Sequence, residues 1–241
     1  MIAVAVAAIP GRMTDQAPLS VADAVAARYT CRAFLPKPVE LDVVRDLLAQ
    51  AMRAPSGGNL QPWHIDVLSG ESLERFLTGI RGRRESQPRG EGVEYDVYPR
   101  PVPQPWESRR FAVGEELYAS IGVKREERDR RLAQFFRNYE FFGAPVAMFV
   151  SIDRRMGAPQ WSDLGMFMQT FMLLASGRGL ATCAQEAWAV WGRTVAECLD
   201  WPPERMLFSG LAVGFPDEAA PINRWRSKRA PLEDVVRFHA A

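Results

Sequence analysis

The segment from Asp163 to Ser176 restricts this chain more than any other. Wound into a helix, its Leu164, Met166, Phe167, Met168, Phe171, Met172, Leu173 and Leu174 cover nearly the whole circumference. A helix without a polar face is stable in water only when other structure encloses it, so it forms either the centre of a core or a seam between subunits. The walls come from several other segments. Pro145–Ser151 and Met206–Phe215 are near-continuous apolar runs of strand length, the pattern of strands covered on both faces. Ala181–Ala187 reads as a short strand leading into a loop, and Trp63, Ile65 and Val67 alternate with His64 and Asp66 in the period of a half-buried strand. Val44, Leu47, Leu48 and Ala51 recur at helical spacing and predict an amphipathic helix over 41–54, stopped by Pro55. Ser20 and Asp23 have the spacing of a helix cap, followed by Val21, Ala24, Val25 and Arg28 on one face. About four strands among more numerous helices imply an α+β or mixed α/β fold.

Between the first and second strands the pattern thins. A short helix is expected over 71–77, then a Pro-, Gly- and Arg-rich loop over 81–108. Pro99, Pro101, Pro103 and Pro105 favour extended chain there. Helices are expected over 109–121 and 125–140, and a short amphipathic segment over 232–238. Residues 1–9 are apolar but lack a basic flank and are too short to cross a bilayer; they read as a frayed tail or as a strand packing on a partner subunit.

With 241 residues, the chain can enclose one large core. A net charge of +1 argues against nucleic acid or an anionic membrane as partner, because both call for a marked basic excess. The arginine runs 81–84 and 128–131 are flanked by acids and read as solvated surface. Three widely spaced cysteines, Cys31, Cys183 and Cys198, support neither a disulfide framework nor a metal pair, as suits a reducing cytoplasm.

Protein-only catalysis is poorly supplied. The sequence has no Gly-x-Gly-x-x-Gly after a strand, no phosphate-binding Gly-Lys-Ser/Thr, and only His64 and His239 as histidines. His64 suits a half-buried hydrogen-bonding role. Two polar clusters stand out instead. Arg28-Tyr29-Thr30-Cys31-Arg32-Ala33-Phe34 ends a helix with two guanidiniums and a hydroxyl. Such forks meet phosphate bidentately, though arginines at a helix end also simply favour its dipole. Pro55-Ser56-Gly57-Gly58-Asn59-Leu60-Gln61-Pro62-Trp63 is a rigid polar turn, whose glycines allow close backbone approach to a flat ring.

These clusters resemble those of the FMN-dependent nitroreductase family, and the resemblance extends from about 18 to 240, broken by a variable stretch at 80–137. Arg28 and Arg32 match the family's phosphate- and ribityl-contacting arginines, Thr30 keeps the hydroxyl, and Tyr29 stands where Arg or His is usual. Pro55, Ser56, Gly57 and Asn59 belong to a loop that in the family reaches FMN from the neighbouring subunit. Gly179 to Ala187 is similar to the segment whose Glu-Gly backbone lies beside flavin N5; Glu186 matches and Ala187 replaces Gly. The same residues also read as a buried strand end. Arg226-Ser227-Lys228-Arg229-Ala230-Pro231-Leu232 resembles the basic C-terminal phosphate motif, with Arg229 the best match and Lys228 or Arg226 as second cation. Asn138 is a candidate for the flavin pyrimidine edge, and 90–142 resembles the nitrobenzoate- and nitroaromatic-reducing branch.

The resemblance implies a nitroreductase-like α+β fold, with a central, mostly antiparallel sheet flanked by helices. It implies a tail over 1–17, one domain over 18–241 with a substrate-covering insertion at 80–140, and a domain-swapped-type homodimer with two sites at its interface. Its implied cofactors are FMN with NADPH or NADH, and its implied substrate a nitroaromatic compound reduced in two-electron ping-pong steps without a catalytic side chain or metal. A reductive dehalogenase of the deiodinase type and a non-catalytic flavin-binding protein are the alternatives.

Overall fold

Two of the apolar runs form the middle of a sheet. In the computed structural model, which describes residues 19–239, β1 (His64–Ser69), β2 (Val146–Asp153), β3 (Ala181–Gln185) and β4 (Arg205–Gly214) lie in the order β1-β2-β4-β3. Every neighbouring pair is antiparallel. Side chains alternate across a strand, so Val146, Met148, Val150 and Ile152 enter one core while Ala147 and Phe149 enter the other. With both faces covered, β2 needs no polar residue, which is why its sequence reads as an unbroken apolar run. β4 changes phase midway. Val150 pairs with Ser209 and Ser151 with Leu207, leaving Phe208 as an extra residue. This bulge lets Met206 share a face with Leu211 and Val213 although their numbers differ in parity.

The helices are α1 (Val21–Ala27), α2 (Leu41–Ala51), α3 (Gly70–Ser86), α4 (Trp106–Ala119), α5 (Arg128–Phe136), α6 (Ala158–Ser176), α7 (Gly192–Cys198) and α8 (Pro221–Arg224). On the first face of the sheet α2 and α6 pack together, with Val44, Leu47, Leu164, Phe167 and Phe171 all but sealed from solvent. On the second face α3 covers an aromatic knot centred on Trp188. Its ring lies 4.8 Å from Phe141, 5.2 Å from both Tyr139 and Phe149, and 5.6 Å from Phe76. Gly210 passes beneath it, where a Cβ would overlap the indole.

Helix α6 is enclosed on one side only. Leu164, Phe167, Phe171 and Ala175 are buried, but Gly165, Met166 and Gln169 form an exposed stripe at helical spacing. It also starts earlier than expected, at Ala158. Helices α4 and α5 bury no residue at all; Trp106 is 57% and Phe111 51% exposed. A helix that shows large aromatics on every side gains little from its own chain.

Several boundaries differ from the sequence reading. Helix α2 stops at Ala51 rather than 54, because the chain must leave the helical region ahead of Pro55. Helix α3 continues to Ser86 instead of 77. Its Ile80 is fully buried, while Gly79 and Gly82 face open space and cost only propensity. Residues 80–86 thus belong to α3. The helix expected over 125–140 ends at Phe136, and a tight 3-10 segment follows over Arg137–Gly143. There Phe141 and Phe142 adopt left-handed φ of 45° and 55°. Both side chains are buried in the aromatic knot, and that burial offsets the strain. Helix α7 was not expected, and the 232–238 segment is only a turn at Leu232–Asp234. The tail reading for residues 1–17 falls outside the described residues. Among those described, no helix is long and apolar enough to cross a membrane.

Candidate functional site

Helix α1 begins as the sequence suggests, with the Ser20 hydroxyl accepting the Asp23 N–H at 3.1 Å. It ends at Arg28, whose backbone turns extended (φ −64°, ψ 129°). The chain then runs beside β3, the Cys31 N–H donating to Thr182 O at 2.9 Å, and Leu35 N–H donates to Phe215 O at 2.9 Å. Asn223 fixes this stretch to the C-terminal segment. Its Oδ1 accepts the Arg32 N–H at 2.8 Å, and its Nδ2 donates to Ala33 O at 2.7 Å and Asp217 O at 2.8 Å. Asn223 is 3% exposed and satisfies three backbone groups at once.

The result is a cavity of about 720 Å³ lined by Arg28, Thr30, Arg32, Gln169, Arg226 and Arg229 together with neighbouring apolar groups. No Asp or Glu lines it, and none of its four arginines forms an ion pair among the described residues. Burial, and then the charge of Arg229, hold the Arg28 guanidinium below its ordinary pKa. Arg226 stacks over the Tyr29 ring at 3.7 Å, so Tyr29 contributes a face where a charge was usual. Four convergent cations without a counter-charge repel one another until an anion enters. The chemistry of this donor set fits a phosphate.

Arg32 also lines a second cavity of about 440 Å³, with Tyr98, Tyr118, Asn138, Glu186 and Ala187 around it. Strand β3 delivers the last two residues. Its pairing with β4 ends at Gln185 opposite Gly210, and the chain turns into a 3-10 segment, Glu186–Trp191, pinned by Trp188 and Trp191. Gln185 is buried and donates from Nε2 to Asn138 O at 2.7 Å and Oδ1 at 3.2 Å; the Tyr139 hydroxyl donates to Ala187 O at 3.1 Å. Two buried polar atoms lack partners here, Gln185 Oε1 and Gln134 Nε2, an acceptor and a donor on residues of the same cavity. A flat heterocycle with alternating carbonyl and N–H groups would satisfy both. Burial also raises the Glu186 carboxyl above the usual range, with no cation beside it.

The third cluster lies elsewhere. Gly58, Asn59 and Gln61 hold left-handed φ of 58°, 56° and 50°, and Gln61 N–H donates to Ser56 Oγ at 3.0 Å. Gly57 N–H donates to the buried carboxylate of Asp163 on α6, at 3.2 Å to Oδ1. Trp63 stacks on Phe167 at 5.0 Å. The loop containing Pro55, Ser56, Gly57 and Asn59 is thus stiff and sits on α6, but it lines neither cavity of its own chain.

Of the sequence-derived candidates, Arg28, Tyr29, Thr30, Arg32 and Arg229 converge on the first cavity, and Arg32, Asn138, Glu186 and Ala187 on the second. Lys228 does not join them. Its Nζ turns to Glu116 Oε1 at 3.2 Å, and Arg226 takes the place of second cation. Asn223, Gln185 and Gln134 were missed, since a lone amide in a polar segment carries no signal until its backbone partners are known. Asn223→Ala is expected to leave three backbone groups unpaired. It should lower stability by about 2–3 kcal/mol in urea unfolding and loosen anion binding, whereas Asn223→Asp should keep part of both.

The sequence profile described as Nitroreductase family matches residues 25–215. The nitrobenzene nitroreductase of Ectopseudomonas oleovorans is 32% identical over 216 residues, 90% of this chain and 95% of that one. The 4-nitrobenzoate reductase of Nocardioides sp. (strain LMS-CY) is 36% identical over 218 residues, 89% of this chain and 87% of that one. Among solved structures, the FMN and NADPH-dependent nitroreductase NfnB of sphigopyxis sp. strain HMH superposes with a TM-score of 0.90 at 46% identity, covering 92% of this chain and all of that one.

Proposed function

The chain belongs to the nitroreductase family, and on that premise we propose that it is an FMN-dependent NAD(P)H oxidoreductase reducing nitroaromatic compounds. The observation that carries this reading is the cavity with four arginines and no acid, sharing Arg32 with an aromatic cavity that holds an unpaired acceptor and donor. Arg28, Arg226, Arg229 and Thr30 would hold the FMN phosphate, and Arg32 would bridge to the ring. Asn138, Gln185 and Gln134 would meet the ring edge, and the backbone at Glu186–Ala187 would lie along it. FMN, when bound, would supply two-electron redox chemistry between NADPH or NADH and the nitro compound. The protein's share is positioning, electrostatic support and exclusion of water.

The homodimer belongs to the same reading. The exposed stripe of α6, the absence of buried residues in α4 and α5, and a stiff loop at 55–59 that lines no cavity of its own chain all support a second copy. In that arrangement Pro55, Ser56, Gly57 and Asn59 serve the site of the partner subunit. Three unpaired cysteines suit a reducing cytoplasm.

The test is a visible spectrum of the purified protein, followed by anaerobic titration with NADPH or NADH and reoxidation by nitrobenzene. A yellow dimer bleached by nicotinamide nucleotide and restored by the nitro compound is expected. A colourless protein that cannot be reconstituted with FMN overturns the reading. A yellow protein that neither nucleotide bleaches limits it to flavin binding, and a bleached protein that nitrobenzene fails to reoxidise limits it to flavin reduction with another acceptor.

A further inference from the structure

A third cavity, of about 490 Å³, opens beyond the ring cavity and shares Val97, Tyr98 and Val190 with it. Pro99 and Pro101 stiffen its wall, and Arg100 and Arg110 bring positive charge to it. Arg100 has Asp96 at 3.6 Å, a long and exposed pair. Arg110 forms no ion pair among the described residues, although its neighbour Arg109 lies near Asp234 and Arg131 near Glu115. Its guanidinium stands over the Tyr98 ring, 5.2 Å from the centroid, and Tyr98 lines the ring cavity together with Glu186. Glu107 also lines this outer space and accepts from Gln104 Nε2 at 3.3 Å rather than from Arg110.

Ligand size decides what this cavity is for. A one-ring nitroaromatic fits within the ring cavity and leaves the outer space unused. A nicotinamide dinucleotide with its nicotinamide in the ring cavity is far longer, and the outer cavity beyond Tyr98 offers room for its adenosine half. Resting on the nitroreductase reading above, we propose that Arg110 recognises the 2′-phosphate of NADPH in this outer cavity and so sets the preference for NADPH over NADH. A guanidinium stacked on a phenol face is already oriented and offers its edge N–H groups to a terminal dianion. The pyrophosphate bridge, common to both nucleotides, would give no such preference.

The test uses the flavin-loaded protein, the variants Arg110→Gln and Arg110→Lys, and the adenosine-half probes 2′,5′-ADP and 5′-AMP in calorimetric titration. The wild type should bind 2′,5′-ADP about tenfold or more tightly than 5′-AMP; Arg110→Gln should remove the difference and Arg110→Lys should restore part of it. In steady state Arg110→Gln should raise the KM for NADPH by a similar factor, with the KM for NADH and kcat unchanged. Equal binding of the two probes by the wild type overturns the proposal. So does an equal loss for NADPH and NADH, which would put Arg110 at the pyrophosphate, or a loss confined to carboxylated nitroaromatics. Arg110 is exposed within its own chain, so its replacement empties no core there, and the mass of each variant in solution checks that the dimer is intact. Flavin content and NADH-driven nitrobenzene reduction report separately on the underlying function.

Discussion

Trp188→Ala lowers the free energy of unfolding by about 3–5 kcal/mol and costs the protein its flavin in the same step. The indole is wholly buried, touches four aromatic rings and rests on Gly210. Truncating it opens a void that rigid aromatic neighbours cannot refill. The functional loss follows from position, because Trp188 anchors the turn holding Glu186 and Ala187 against the ring cavity. Urea unfolding and FMN content measure the two effects. Trp188→Phe separates volume from hydrogen bonding. The buried indole N–H has no acceptor, so phenylalanine removes an unsatisfied donor and should cost clearly less than alanine. A Trp188→Ala protein within about 1 kcal/mol of wild type would mean that the knot is not what holds the turn.

Arg28→Ala and Arg229→Ala should each weaken FMN binding by about ten- to hundredfold, the worth of a charge-assisted hydrogen bond to phosphate of about 1.5–3 kcal/mol. Riboflavin, which lacks the phosphate, supplies the control. Its affinity should be the same in wild type and variants, so the preference for FMN over riboflavin collapses. Stability should move the other way. Arg28 loses basicity through burial and through Arg229, so removing either cation relieves repulsion in the flavin-free protein, and its melting temperature should hold or rise slightly. A variant that loses riboflavin and FMN equally would show that these arginines shape the cavity without reading the phosphate.

The legible parts of this fold were those with a strong local pattern. The apolar runs that became β2 and β4 announced buried strands because both faces are covered, and the Ser20 cap fixed the start of α1. Thus the place of Arg28, at the end of one helical stretch, was readable as well. The bulge at Phe208 was not, since an extra residue in a wholly apolar strand leaves no mark on a sequence without polar punctuation. Helix α3 outruns the expected 71–77 because the Arg- and Gly-rich residues after it show little periodicity, yet Gly79 and Gly82 in exposed positions cost little beside the burial of Ile80. Cation choice in the C-terminal segment also escaped: Lys228 and Arg226 are alternatives on paper, and only the stacking on Tyr29 and the pull of Glu116 separate them. The outer stripe of α6 shows the limit most clearly. Its sequence asks for cover on every side, and a single chain gives cover on one.

Arg32 and the Asn223 that secures it are 191 positions apart, and β4, which lies between β2 and β3 in the sheet, follows both of those strands in the chain. A ribosome making this protein therefore releases the first half of the anion cradle long before the second half has been translated. Until then the early arginines face bulk water without the groups that fix them, and neither edge strand β3 nor β2 has found the strand that joins them. The four-arginine cavity is consequently complete only once the C-terminal segment, which brings Arg226 and Arg229, has been made.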